Sequence, residues 1–133
     1  MSACAPVRSR RSTRSNRAGR IANFFEHGDS ALCLTRDLEP AIRDALEDVV
    51  AQEQLRAQMI FDLDDLRLDE LLQSVYSPVA RSFLEDDIAS IVRDLGEALG
   101  QKSLQGSLEV VTTNACTKLH SDFVNVRMIC TYV

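Results

Sequence analysis

Apolar positions recur at helical spacing in three stretches of the chain. Leu38, Ile42, Ala45, Leu46 and Val49 fall three or four residues apart, which places them on one face of a helix running to about Arg56. Asp37 is the predicted N-cap of that helix. Pro40 falls in its first turn, where a missing N–H does no harm. Leu68, Leu71, Leu72 and Val75 repeat the spacing and predict a second helix over Leu66–Val75. Ser77-Pro78 then supplies an N-cap followed by proline at the first helical position. The helix it opens carries Leu84, Ile88, Ile91, Val92, Leu95 and Leu99 on one stripe, with Gly100 just past its end. Leucine stripes of this kind form a core far more often than a groove for a partner.

Elsewhere the period shortens to two. Ala31–Leu34 and Gln58–Asp62 are short strand candidates. Leu108–Thr113 is β-branched and predicts a strand. Val124–Val133 predicts another, with Val126, Met128, Cys130 and Tyr132 on one face. Helices come first and strands last, an order that predicts an α+β fold.

Composition narrows the class. The chain has 133 residues, 45% of them apolar and 26% charged, which suits one domain with a real core. No run approaches the roughly 20 apolar residues that cross a bilayer, so no membrane span is expected. The four cysteines, Cys4, Cys33, Cys116 and Cys130, show neither Cys-x-x-Cys spacing nor a hydrophobic secretory leader before them. That pattern favours an intracellular, reducing compartment over a disulfide framework, and it lacks the spacing of a zinc finger.

The net charge of −5 hides an asymmetry. Residues 1–20 hold six arginines and no acid, leaving nine basic side chains against twenty acids in the rest. The acidic body, residues 21–133, should repel nucleic acid. Residues 1–20 are too polar to bury themselves and are expected to be a disordered Arg/Ser-rich tail. An organelle transit peptide and a polyanion-binding arm are the functional alternatives for that tail. In the predicted Leu38–Val49 helix, Glu39, Asp44, Glu47 and Asp48 suit a solvated face, and nothing pairs them as general acid and base.

Candidate chemistry lies between the last two predicted strands, in Cys116-Thr-Lys-Leu-His120-Ser-Asp122. In an extended chain His120 and Asp122 share a face, whereas on a helix they would stand about 200° apart. An imidazole beside a carboxylate supplies two ligands of the facial triad that holds non-heme Fe(II), with Cys116 as an extra ligand or a nearby thiol. The same pair can also be a hydrogen-bonded turn, and Cys116 with His120 would suit nucleophilic catalysis only with a third, orienting group. His27, in a Gly-Asp loop, reads as an exposed surface histidine.

The closing stretch, NACTKLHSDFVNVRMICTYV at Asn114–Val133, resembles the signature of the DUF1826 family. The resemblance covers a Cys-x-x-x-His-x-Asp stretch and an arginine-containing apolar strand ending in Cys-Thr-Tyr. These correspond to Cys116, His120, Asp122, Arg127, Cys130, Thr131 and Tyr132. The similarity runs back, less closely, to about Phe24 and leaves out the arginine-rich tail. Family members continue with a Gly-Pro-Gly-Thr turn and a second histidine-bearing strand, an order similar to a cupin-like double-stranded β-helix. The resemblance thus implies the N-terminal part of such a domain, cut before its third ligand, with an open strand edge suited to self-association.

Three functions follow as expectations. The first is a non-heme metalloprotein, an Fe(II) and 2-oxoglutarate-type oxygenase in a full-length form. His120 and Asp122 would be its ligands and Arg127 a partner for an anionic cofactor, while the chain as given would bind metal weakly and be inactive. The second is a non-catalytic zinc-handling protein using Cys116, His120 and Asp122. The third is an acidic helical interaction module. The substrate is not legible.

Overall fold

The longest helix is fixed at both ends by its own sequence. In the computed structural model, which describes residues 14–28, 32–52, 55–110 and 126–132, four helices and two strands follow in the order α1 (Arg14–His27), α2 (Pro40–Ala51), β1 (Arg56–Asp62), α3 (Asp69–Leu72), α4 (Pro78–Leu99) and β2 (Ser103–Glu109). The Ser77 hydroxyl accepts from the Ala80 N–H at 3.3 Å at the head of α4. At its foot, Gly100 takes φ 64°. There the Gly100 N–H bonds the Glu97 carbonyl at 3.2 Å and the Gln101 N–H bonds that of Gly96 at 3.0 Å, a Schellman pair that stops the helix.

β1 and β2 pair antiparallel, with Ala57 opposite Leu108, Met59 opposite Gly106 and Phe61 opposite Leu104. Directly opposed residues share a face, so these six look inward. Arg56, Gln58, Ile60 and Asp62 look outward with Ser103, Gln105, Ser107 and Glu109. The ladder is extended by Leu63 N–H to the Lys102 carbonyl at 2.8 Å and Val110 N–H to that of Leu55 at 3.0 Å. Under the inner face lie Leu71, Leu72, Val75, Ala80 and Leu84, each at most 2% exposed. α1 and α2 both lie against α4. The mixed helix and strand content agrees with the expected α+β class, and no described helix is long and apolar enough to cross a membrane.

Several expected elements differ. Residues 32–39 have no regular structure, so the Ala31–Leu34 strand does not form among the described residues; the only described ladder is β1–β2. Glu39, not Asp37, caps α2, and its carbonyl takes the N–H groups of Ile42 and Arg43. α2 ends at Ala51, because Arg56 already belongs to β1. The Leu66–Val75 helix shrinks to the single turn of α3, yet Leu68, Leu71, Leu72 and Val75 are all buried. One helical turn with a turn on each side still aims positions three and four apart inward.

Residues 126–132 form no ladder. Val126, Met128 and Tyr132 are half-buried as the alternation predicts, but Cys130 is exposed. α1 starts at Arg14, inside the segment expected to be a tail to residue 20, because Arg17 and Ile21 bury against the fold. Residues 1–13 lie outside the described residues, as do residues 111–113 of the expected Leu108–Thr113 strand, whose first two residues end β2.

The sheet depends on one missing side chain. A Cβ on Gly106 would sit 2.1 Å from Cε2 of Phe61, a buried ring that would have to shift. Gly106→Ala is therefore expected to cost about 1–3 kcal/mol. Ser77→Ala should cost about 1 kcal/mol through the lost cap. Urea unfolding midpoints, with the slope unchanged, check both.

Candidate functional site

α4 carries two faces. Leu84, Ile88 and Val92 bury toward the core. Asp87, Ser90, Ile91, Asp94 and Leu95, also spaced by three and four, point to the other side, where α1 packs. On α1, Arg17, Ile21, Phe24 and Phe25 repeat that spacing and meet them. Residues 32–38 and 126–132 add two more walls. Together with Arg43 of α2, these pieces line a cleft of about 620 Å³.

Two arginines are fixed in these walls. Arg17 Nε donates to Asp94 Oδ2 at 2.8 Å, and its Nη2 donates to Ser90 Oγ at 2.5 Å. Both partners of this ion pair are buried, at 8% and 3% exposure. Arg36 Nη1 donates to Asp87 Oδ1, while its Nη2 donates to Cys130 Sγ at 3.2 Å. The Arg36 guanidinium also lies 5.6 Å from the centroid of the Tyr132 ring. Tyr132 in turn donates its hydroxyl to Asp87 Oδ2 at 2.7 Å and meets the Phe83 ring edge-on, 6.0 Å between centroids. One carboxylate thereby ties together residues 36, 87 and 132.

The network perturbs proton binding. Burial pushes the Tyr132 phenol well above the ordinary tyrosine range, helped by the neighbouring Cys130 and by the hydrogen bond and negative charge of Asp87. Burial works against the charge on Arg36, but the bond and charge of Asp87 outweigh it, so this guanidinium is held more firmly protonated than a free arginine.

The cleft is also cationic. Arg43 and Arg127 join Arg17 and Arg36 in its lining, and no acid lines it among the described residues. Asp87 and Asp94 stand behind the arginines, out of the cavity wall. Arg43 is exposed and forms no ion pair with another described residue. Phe24 and Phe25, edge-on at 5.2 Å, supply an aromatic corner.

Of the residues singled out by sequence, Arg127 lies in the cleft lining and is exposed. Cys116, His120 and Asp122 lie outside the described residues. Among the described residues no group of three or more His, Cys, Asp and Glu side chains could hold a metal ion. His27 is exposed, its Nδ1 hydrogen-bonded to the Asn23 carbonyl at 2.9 Å, as a surface histidine should be. Cys33 is disulfide-bonded, although the cysteine spacing predicts no disulfide framework, and Cys130 is a free thiol. Sequence reading missed Arg17, Arg36, Asp87 and Asp94. The Asp87, Ser90, Asp94 spacing beside the leucine stripe was the available signal.

The family model described as "Protein of unknown function (DUF1826)" matches residues 15–133, and the chain belongs to that family. The match begins nine residues before the Phe24 limit of the resemblance, and so takes in α1 almost whole. No curated protein and no solved structure matches the chain.

Removing Asp94 would strand a buried guanidinium. Asp94→Ala is expected to cost about 3–5 kcal/mol, and an Arg17→Met, Asp94→Leu pair much less, by denaturant unfolding. Tyr132 sets an alkaline limit. A phenol whose folded pKa is raised stabilises the fold fully below the unfolded value of about 10 and loses that contribution as pH climbs through the folded value. Wild-type stability should therefore fall as pH rises above about 10. Tyr132→Phe should show a shallower fall there, measured by urea unfolding across the alkaline range.

Proposed function

We propose that this DUF1826 protein binds a small anionic molecule with an apolar body in the cleft between α1, α4 and residues 126–132. The carrying observation is charge segregation. A chain with twenty acids and a net charge of −5 assembles a cleft lined by four arginines and by no described acid. Its volume, about 620 Å³, lies in the range of roughly 300–1,000 Å³ that small-molecule pockets occupy.

Arginine suits this task. Its planar guanidinium offers five N–H donors, so Arg17 and Arg36 can each use two on their protein partners and still present others. Asp87 and Asp94 keep those two groups oriented and offset the cost of holding cations out of bulk water. Arg43 and Arg127, both exposed, stand where a ligand carboxylate or phosphate would first arrive. Ile21, Phe24, Leu34 and Leu95 cover its apolar part.

Metal chemistry at His120, Asp122 and Cys116 is the second reading. It is favoured by chain connectivity: Asp122 precedes Val126 of the cleft lining by four residues, at most about 14 Å of chain. A divalent ion held there, Fe(II) or Zn(II), would lie within reach of the anion. Fe(II) would support the oxygenase chemistry, and Zn(II) the metal-handling role. The cupin-like arrangement of the C-terminal part belongs to this reading and rests on the family resemblance. The third expectation, an acidic interaction module, explains neither the cleft nor its charge.

Calorimetric titration with benzoate and with benzyl alcohol tests the first reading. Benzoate should bind more tightly than the alcohol, by tenfold or more, and Arg43→Glu should weaken benzoate by a similar factor while leaving the alcohol unaffected. Equal binding of acid and alcohol would overturn it. Elemental analysis after Fe(II) or Zn(II) loading tests the second: His120→Ala should abolish bound metal, and undiminished metal in that variant would remove the reading.

A further inference from the structure

The chain is poor in aromatic side chains, with five phenylalanines and two tyrosines in 133 residues. Yet three of these seven, Phe24, Phe25 and Tyr132, line the cationic cleft. Two of the three do not serve the core. Phe61 lies within it, and Phe83 and Tyr132 pack against it, whereas Phe24 and Phe25 belong to neither set. Both are half-buried on α1, in edge contact with their planes 67° apart. A ring left partly in water contributes less to folding than a buried one. Stability of the core therefore does not account for this pair.

The pair suits an aromatic guest. Aromatic rings prefer offset-stacked or edge-to-face partners, and two rings set at a steep angle offer both arrangements within one wall. The arginines add to it. A guanidinium is planar and stacks on aromatic faces. The fold already makes one such contact, between Arg36 and the ring of Tyr132 at 5.6 Å, and both of these groups line the cleft.

We infer that the ligand is an aromatic carboxylic acid, a flat ring bearing its carboxylate directly, with the carboxylate among the arginines and the ring against Phe24 and Phe25. This rests on the anion-binding reading of the cleft and adds the class of ligand. Arg43 is exposed and in no ion pair with another described residue, so its fork of donors is not committed to a described carboxylate. A guanidinium and a carboxylate bond as a coplanar, two-pronged pair. A carboxylate conjugated with its ring lies in the plane of that ring. The acid is then one stiff plate, and ordering it on binding costs little.

A saturated ring separates this inference from simple burial. Cyclohexanecarboxylate has the same carbon skeleton and charge as benzoate but more apolar surface, so a merely apolar wall would favour it. An aromatic wall reverses the order. Contacts between rings add about two- to tenfold in affinity beyond their buried area.

The test is calorimetric titration of the whole chain, near neutral pH, with benzoate, cyclohexanecarboxylate, benzyl alcohol, cyclohexylmethanol and phenyl phosphate. Benzoate should bind about two- to tenfold more tightly than cyclohexanecarboxylate. A chain carrying Phe24→Leu and Phe25→Leu should lose that preference, and the wild-type comparison stands without this variant. The two acids binding equally, each more tightly than its alcohol, would overturn the aromatic inference while leaving the anion reading intact. Benzoate binding no better than benzyl alcohol would overturn both, as would failure of every acid to bind. Phenyl phosphate binding more tightly than benzoate would replace the carboxylate by a phosphate and overturn the inference. So would a folded double variant that keeps the full preference for benzoate.

Discussion

The Asp87 carboxylate accepts from Arg36 through one oxygen and from Tyr132 through the other. Those two bonds tie both irregular walls of the cleft, residues 32–39 and 126–132, to α4. Residues 32–39 and 126–132 both lack regular structure, so neither has a backbone ladder to hold it in place. Each is instead tethered to α4 by a side chain. Hydrogen bonds to a charged group are worth about 1.5–3 kcal/mol when well made, more than a neutral pair. The stacking of Arg36 on the Tyr132 ring links the two tethers directly. Loss of one should therefore loosen the other.

The same helix serves core and cleft because its sequence runs two stripes in register. One turn of α4 buries Leu84 and Ile88; the same turn turned aside presents Asp87. A further turn along, Val92 is buried inward while Asp94 receives Arg17. The acids on this helix do not line the cleft. They stand behind arginines that do. That arrangement lets an acidic chain carry a cationic cleft, since the arginines are held by near neighbours while the remaining carboxylates stay elsewhere on the surface. No buried side-chain polar atom among the described residues is left without a partner, so this polar layer is fully satisfied.

What was legible in the sequence is local. Ser77-Pro78 and Gly100 bound α4 because caps act through residues two to five apart. The QMIFD run marks β1 because alternation is a property of neighbours. The unread parts are set by distance. Arg17 meets Asp94 across seventy-seven positions and Arg36 meets Asp87 across fifty-one. No short-range pattern announces such pairs, and Arg17 resembled its neighbours in a polar arginine-rich run. Arg127 and Tyr132 stood in the quoted closing motif and both reach the cleft, although as part of its arginine-bearing wall and as an anchor to α4. The motif's histidine and aspartate, His120 and Asp122, lie outside the described residues.

Amide hydrogen exchange on the wild type and on Asp87→Asn tests the tether most directly. With the carboxylate replaced, protection should fall together in residues 32–38 and 126–132, while the β1–β2 amides keep theirs. Loss confined to one of the two segments, or unchanged protection in both, would contradict the claim that a single carboxylate holds the walls of the cleft.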